Sequence, residues 1–389
     1  MTFEIDQVYC DNAATTPVTS EVLDEMIPFF TESFGNPSSL YMLSQESRAA
    51  IEFSRDKIAK TISSNSSEII FTSGGTESNN LAIKGICLPK ISNEQNEIII
   101  SSIEHHAIIH PAEQLKNIGY KVKYSPIDQN GLLIIDEFTK LINNKTKFVS
   151  IMLANNEIGS LQDIKSLVAI VREKETEFGT KIYFHTDAVQ AVGKININVS
   201  DLNIDLLSIS GHKFNAPKGI GALYIKDGIT IEPLLDGGGQ ERQNRSGTEN
   251  VPSIVGLGKA IEIAEARRED FFNHTKNLTE KFRDLINKKI PDIVFHSSNH
   301  GLSNIVNFSI PNIQGEPILI GLDFKGIMAS SGSACSTASV EPSHVLLAKG
   351  VDEKLALGSV RLSFSISNTF KEIDYIVESI YEVCEDLKN

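Results

Sequence analysis

The sequence predicts an α/β fold with a mainly parallel sheet, and two observations support this prediction. In the first two thirds of the chain, short apolar runs alternate with segments of helical spacing such as residues 164–174. The apolar runs are continuous, which is typical of strands that helices cover on both faces of a sheet. Alternation of such strands with helices is the pattern of a layered α/β domain.

Five runs are the predicted strands of this sheet. In chain order they are Glu68–Phe71, Glu97–Ile100, Phe148–Leu153, Lys181–Phe184 and Leu206–Ile209. Polar residues follow several of them, and catalytic groups of open α/β sheets gather at the carboxyl ends of strands. We therefore expect these polar residues to converge on one pocket.

The pattern changes near Val251–Ser253, where a long stretch of helical periodicity begins and runs towards Ile290. Strands are predicted near Ser303–Ile310 and Val360–Phe364, followed by a helix from Lys371. A run of helices and strands of this kind predicts a second, smaller α+β domain.

Composition limits the possible functions. The chain has 389 residues, a hydrophobic content of 41% and a net charge of -14 from 36 basic and 50 acidic residues. This length allows a large buried core and two domains. The acidic balance disfavours stable binding to nucleic acid backbones. With neither a signal-like leader nor an apolar run long enough to span a membrane, we expect a cytoplasmic protein.

The four cysteines differ in their surroundings. Cys10, Cys87 and Cys384 lie in apolar elements and are expected in the core, whereas Cys335 lies in a run of small residues, 330–339. The absence of a Cys-x-x-Cys pair argues against a disulfide framework and favours a reducing compartment. A reactive thiol needs exposure, so Cys335 is either a functional thiol or part of an ordinary surface loop.

Two further segments indicate cofactor chemistry. A lysine at a strand end, Lys213, is suited to form a Schiff base with a carbonyl cofactor. The glycine turn before Thr76 opens a predicted helix whose free N–H groups can hold a phosphate, or it is only a capped helix start.

His105 and Asp187 follow two other strands, where they are catalytic groups or merely satisfied turn residues. The spacing of the histidines and cysteines does not match that of a metal site.

These residues carry a resemblance. The chain resembles the pyridoxal-phosphate-dependent cysteine desulfurases of the NifS/IscS type, in the class V aminotransferase group of fold-type I enzymes. The matching segments span nearly the whole chain: Asp11–Pro17, Gly35–Ser39, Thr76–Ser78, Asn155–Gly159, Ser210–Lys213, Arg245–Thr248, the segment around Cys335, and Arg361. The resemblance implies a large domain, 16–258, with a seven-stranded sheet, and a small domain formed by 1–15 and 259–389.

The resemblance also implies roles toward pyridoxal phosphate. Lys213 would hold the cofactor covalently and then act as a base, while Asp187 would pair with the pyridinium nitrogen. His105 would stack on the ring and help to move protons, and Asn156 and Gln190 would contact the region of the ring oxygen.

The phosphate would be held by Gly75, Thr76, Ser210 and His212, with Thr248 of the partner subunit of a homodimer. Arg361 would bind the substrate carboxylate, a task that suits its planar fork of donors.

The implied reaction is removal of sulfur from L-cysteine, with L-alanine released and a persulfide formed on Cys335. Sulfur would pass to an acceptor such as an iron-sulfur scaffold. The long form of the Cys335 segment resembles the IscS/NifS branch rather than the SufS branch, so we expect no strict need for an activating partner. Alternatives are a selenocysteine lyase or another class V β-lyase, or a non-catalytic sulfur-relay subunit.

The chain departs from the family pattern at three places. Tyr41 and Ser44 stand where a histidine and a glycine are expected, and Ser365–Ser367 replaces a Gly-Arg type of sequence.

Overall fold

The structure is a computed structural model that describes residues 7–88, 95–298, 300–331 and 341–388. Its strands are β1 Val8–Tyr9, β2 Ile69–Thr72, β3 Glu97–Ser101, β4 Lys121–Ser125, β5 Thr146–Ser150, β6 Tyr183–Asp187, β7 Leu206–Ser210, β8 Gly221–Ile225, β9 Val294–Phe295, β10 Ile305–Ser309, β11 Ile327–Met328 and β12 Ser359–Ser363.

The helices are α1 Ser20–Met26, α2 Pro28–Thr31, α3 Met42–Ile62, α4 Gly75–Cys87, α5 His106–Lys116, α6 Ile135–Leu141, α7 Ile164–Phe178, α8 Val199–Leu202, α9 Val251–Ala266, α10 Arg268–Lys289, α11 Gly315–Phe324, α12 His344–Ala348, α13 Glu353–Leu357 and α14 Phe370–Lys388. In the described ranges, no helix combines the length and apolarity that a membrane crossing requires.

The large sheet has seven strands in the order β2-β8-β7-β6-β5-β3-β4. Pairing is parallel from β7 to β4, and β8 runs antiparallel to both of its neighbours. The predicted α/β class with a mainly parallel sheet is confirmed. The five predicted strands all occur, but the run predicted as Phe148–Leu153 begins earlier and ends at Ser150.

A second sheet of three antiparallel strands, β12-β10-β9, packs with α10, α11 and α14. Its separate apolar core includes Cys10 and Cys384, while Cys87 lies in a core beside the large sheet. All three thiols are buried, as predicted. These separate cores support the proposed domain limits, which stay a prediction. Cys335 lies outside the described residues.

The helical stretch predicted from Val251 towards Ile290 is two helices, α9 and α10. They meet at Arg267, whose backbone (φ -104, ψ 10) leaves the helical range. The apolar face of α9 packs on α1 and α3 beside the large sheet, whereas α10 packs on α14. Because of this break, the two halves of one continuous helical pattern pack in two different cores.

Residues 8–17 connect the two sheets. β1 pairs in parallel with β11, and Asn12 Nδ2 donates to Ser363 O at the end of β12 over 2.8 Å. Further along, the Thr16 backbone N–H donates to His212 O at 2.9 Å, beside the end of β7. This segment fixes the second sheet against the carboxyl edge of the first.

Candidate active site

The start of helix α4, directly after β2, forms one wall of the site. At Gly75 an added Cβ would lie 2.8 Å from Val189 Cγ2 and 3.3 Å from Ser210 Cβ, so the backbone approaches β7 more closely than a larger residue allows. Gly74 has φ +150, a conformation that favours glycine. The N–H groups at the start of α4, including that of Thr76, thus border a cleft suited to an anion.

Asp187 ends β6 and is buried. One carboxylate oxygen accepts from Asn79 Nδ2 at 2.7 Å, and the other accepts from the Val189 backbone N–H at 2.9 Å. Within the described residues no cationic side chain pairs with it at salt-bridge distance. The carboxylate is therefore fixed in orientation while its charge is available to a cationic ligand.

His105 is the N-cap of α5. Its Nδ1 accepts from the Ala107 backbone N–H at 3.0 Å, so the neutral ring carries its proton on Nε2. Burial lowers the pKa of His105, the negative charge of Asp187 opposes this, and the positive charge of Lys213 adds to the lowering. The imidazole is held as a neutral hydrogen-bond donor.

Lys213 ends a single 3₁₀ turn that follows β7. Its Nζ donates to two backbone carbonyls, Ala13 O and Ala14 O, at 2.7 Å each. The same lysine and burial lower the pKa of its neighbour His212 to about 4, with burial the larger cause. Two backbone carbonyls of residues 13 and 14 thus help to position the ammonium group.

Gln190 links Lys213 to a second lysine, Lys194. Its Nε2 donates to Ala13 O at 2.8 Å, and its Oε1 accepts from Lys194 Nζ at 2.9 Å. Ala13 O is thus shared by Gln190 and Lys213, so the amide and the lysine are positioned together.

Arg361 comes from β12 of the small sheet and is 2% exposed. Its Nη1 donates to Asn156 O at 2.8 Å and its Nη2 pairs with Asp11 Oδ1 at 2.7 Å. The buried Nε lacks a hydrogen-bond partner among the described residues. A buried guanidinium with a spare donor at a cavity wall is suited to bind a carboxylate.

These groups line one cavity of about 550 Å³. Ten of the predicted site residues line it: Gly75, Thr76, His105, Asn156, Asp187, Gln190, Ser210, His212, Lys213 and Arg361. Thr248 is exposed and is not in this lining. Cys335 lies outside the described residues, so its predicted role stays a prediction.

Several residues at the site were not singled out from the sequence. Asn79 lies one helical turn after Thr76 on α4, and that spacing was a usable signal because it places both on one face. Glu104 is fully buried, accepts from the Met152 backbone N–H at 2.7 Å, and has its pKa raised by burial and by Asp187. Ala13 and Ala14 act through backbone carbonyls, for which side-chain patterns carry no signal.

Comparison with known proteins assigns the family. The sequence profile described as Aminotransferase class-V matches residues 8–376. The chain belongs to this family. Within it, the chain is 47% identical over 380 residues to "Cysteine desulfurase IscS" of Clostridium botulinum, covering 97% of this chain and 94% of that protein. It is 48% identical to the protein of the same name from Methanosarcina thermophila, covering 98% and 93%.

Comparison with solved structures agrees with this assignment. A "NIFS-LIKE PROTEIN" superimposes with a TM-score of 0.91 at 38% identity, covering 97% of this chain and 99% of that chain. A structure named "SspA in complex with cysteine" has a TM-score of 0.81 at 36% identity, covering 93% and 99%. The predicted resemblance to the NifS/IscS type and the fold-type I architecture are confirmed.

Proposed function

We propose that this protein is a pyridoxal-phosphate-dependent cysteine desulfurase, which converts L-cysteine to L-alanine and leaves the sulfur as a persulfide on Cys335. The main support for the proposal is that one cavity is lined by the start of α4 together with Lys213, Asp187, His105 and Arg361. The relatives named cysteine desulfurase and the related structure with cysteine support the substrate.

The residues present fit the cofactor. The Gly75 backbone makes a close approach that a Cβ would fill, beside the Ser210 side chain at the end of β7. Among the described residues, the Asp187 carboxylate accepts from neutral donors and from no cationic side chain, which suits a protonated pyridine nitrogen. The cavity, at about 550 Å³, is within the usual size of a small-molecule site.

The cofactor would be held at both ends. Gly75, Thr76, Ser210 and His212 would hold its phosphate, and Asp187 would keep the ring nitrogen protonated. Asn156, Gln190 and His105 would border the ring between these ends. When bound, pyridoxal phosphate supplies an electron sink for negative charge at the substrate α-carbon.

Substrate binding and proton transfer are assigned to Arg361, Lys213 and His105. Arg361 would bind the substrate carboxylate through its spare donor. Lys213 would hold the cofactor, take the proton from the α-carbon once substrate has displaced it, and return a proton to the product. His105 would donate from Nε2 to developing negative charge, because its Nδ1 is occupied by the Ala107 N–H.

Sulfur transfer requires a second thiol. The Cys335 thiolate would attack the sulfur of bound cysteine, so that the carbon–sulfur bond breaks and a sulfur–sulfur bond forms. The proton of the Cys335 thiol replaces sulfur on the substrate carbon, giving alanine. Carbon is reduced as the two sulfurs are oxidised, so no external oxidant is needed.

The test is to measure alanine and sulfide from L-cysteine with purified, cofactor-loaded protein and a reductant. We expect equal amounts of both products, and a loss of at least about 10³-fold in Cys335→Ala. Cys87→Ala is the matched control, because this thiol is buried in a core and should leave turnover nearly unchanged.

Other outcomes would select the alternatives. Full activity of Cys335→Ala would indicate a selenocysteine lyase or another β-lyase that does not use the thiol. A wild-type protein that binds the cofactor but releases no alanine would indicate a sulfur-relay subunit.

The proposal includes a homodimer in which Thr248 of the partner subunit reaches the cofactor phosphate. Large apolar side chains lie exposed between α1 and α3, among them Phe34 at 63% and Leu40 at 88%. Exposed apolar surface of this kind is typical of an interface. Sedimentation of the loaded protein should give twice the mass of one chain.

The persulfide would pass to an acceptor protein such as an iron-sulfur scaffold. Because the reaction needs a reduced thiol, we place it in the cytoplasm.

A further inference from the structure

A second cavity, of about 190 Å³, is lined by Lys213, which also lines the active-site cavity. Apolar side chains from both parts of the molecule form much of its wall: Val22, Phe214, Ile263, Ala264, Phe271 and Ile366. An apolar cavity of about 150 Å³ accommodates benzene. This cavity therefore has room for a small ring with one or two substituents.

Lys194 gives the cavity a buried positive charge. The residue is 7% exposed, and its Nζ has one hydrogen-bond partner in the described ranges, Gln190 Oε1 at 2.9 Å. No carboxylate of the described residues lies within ion-pair distance. Burial lowers the pKa of Lys194 to about 7, and the charges of Lys213 and Arg361 contribute. A buried ammonium without a counter-ion is costly, and a bound anion would relieve that cost.

A buried acceptor also lines the cavity. Asn304 is 1% exposed, its Nδ2 donates to Phe364 O, and its Oδ1 lacks a partner in the described part of the chain. Buried side-chain acceptors are normally paired, so this oxygen suits a donor on a ligand. Ser365 and Ser367, where the sequence departs from the family pattern, line the same cavity.

We propose that this second cavity binds a small carboxylate with an apolar body and one hydroxyl group, with the carboxylate on Lys194 and the hydroxyl on Asn304. Free amino acids fit poorly, because their ammonium group would add a positive charge beside Lys194, Lys213 and the rim residue Arg267. The ligand is thus chemically distinct from the amino acid substrate of the neighbouring site.

A chain of hydrogen bonds connects Lys194 in the second cavity to Lys213 in the active site. Lys194 donates to Gln190, and Gln190 shares the Ala13 carbonyl with Lys213. A carboxylate that accepts from the remaining donors of the Lys194 ammonium would draw Nζ towards itself and so alter its bond to Gln190 Oε1. A small acid bound in the second cavity would therefore change the hydrogen bonds that position Lys213.

The test uses 3-hydroxybenzoate and 4-hydroxybenzoate, titrated calorimetrically into the cofactor-loaded protein. We expect saturable binding of at least one isomer, weakened at least about tenfold when the corresponding hydroxybenzamide replaces it, because the amide lacks the charge. At pH 8 binding should take up close to one proton, since an anion raises the pKa of Lys194; at pH 6 uptake should be near zero. Buffers of different ionisation enthalpy measure this uptake.

Three variants locate the site. Lys194→Met should remove both the tenfold preference for the acid and the proton uptake, and Ala264→Phe should abolish binding by filling the cavity. Arg361→Lys should leave the affinity within about twofold, because Arg361 lines only the first cavity.

Three results would overturn the proposal. One is that neither isomer binds. Another is that binding persists unchanged in both Lys194→Met and Ala264→Phe. The third is that binding is lost in Arg361→Lys alone, which would assign the carboxylate to the active-site cavity. Because binding is measured without turnover, failure here is separate from failure of the desulfurase proposal.

Discussion

The seven-stranded sheet and the three-stranded sheet contribute different kinds of group to the same cavity. The carboxyl edge of the large sheet brings Ser210, Asp187, which accepts from an amide and a backbone N–H, and Lys213, which donates to two carbonyls. The small sheet brings Arg361, which is held by an ion pair to Asp11. Groups proposed for the cofactor thus belong to one packing unit, and the group proposed for the substrate carboxylate belongs to the other.

The largest effect should come from the large sheet. Lys213→Ala should lower alanine formation by at least about 10³-fold, because the residue is proposed both to hold the cofactor and to transfer the proton. The cofactor absorbance remaining after gel filtration should fall as well. Lys226→Ala is the control, at a half-buried lysine directly after β8 whose Nζ donates to Asn203. If Lys213→Ala kept the cofactor and its activity, the large sheet would not have the assigned role.

A smaller and different effect should come from Arg361→Lys. The lysine ammonium is a single point of charge without the planar fork that spans Asn156 O and Asp11, so it should bind the substrate carboxylate less well, and KM for L-cysteine should rise by about 10- to 100-fold. Cofactor absorbance should remain at the wild-type level. Loss of the cofactor with an unchanged KM would contradict the separation of the two units.

The smallest effect concerns stability in acid and compares one histidine from each unit. His185 in β6 bonds Ser150 and Ser208, and burial lowers its pKa to about 3. His296, beside β9, has its pKa lowered to about 4 by burial and then by Lys349. Both stay neutral in the folded chain, whereas in the unfolded chain they take up a proton near pH 6.5.

The unfolded state therefore binds more protons below about pH 6.5, and the free energy of unfolding falls as the pH decreases. Each histidine contributes roughly 1.4 kcal/mol per pH unit until its folded pKa is reached. Urea unfolding at pH 7, 6 and 5 should show a shallower loss in His185→Gln and in His296→Gln. Unchanged pH slopes in both variants would argue that these rings are charged in the folded protein.

The sequence was informative where a residue's surroundings lie close along the chain. The buried strands β2, β3, β6 and β7 were predicted because their apolar runs are unbroken. β4 was missed because its Lys121–Ser125 sequence is polar at the edge of the sheet, and β8 because it begins with glycine. At Gly221 an added Cβ would lie 2.7 Å from Gly74 Cα, a constraint that only the fold creates.

The same limit applies to the site. Residues directly after strands, such as His105 and Asp187, could be found from sequence, and the family resemblance added Arg361. The partner Asp11 could not, because its ion pair with Arg361 joins segments 350 positions apart. Lys194 could not either: it lies only four positions after its partner Gln190, but its burial depends on the fold. The carbonyls of Ala13 and Ala14 were also beyond reach, since every residue carries one.

The segment 8–17 has a consequence for how the protein is made. Asn12 of this segment bonds Ser363, which is synthesised 351 positions later. The carbonyls that hold Lys213 and the carboxylate that holds Arg361 lie in this segment, so the cavity cannot be completed until β12 has left the ribosome. Contacts of such long sequence separation are slow to form. A nascent chain with an already folded large sheet would therefore still be catalytically incomplete.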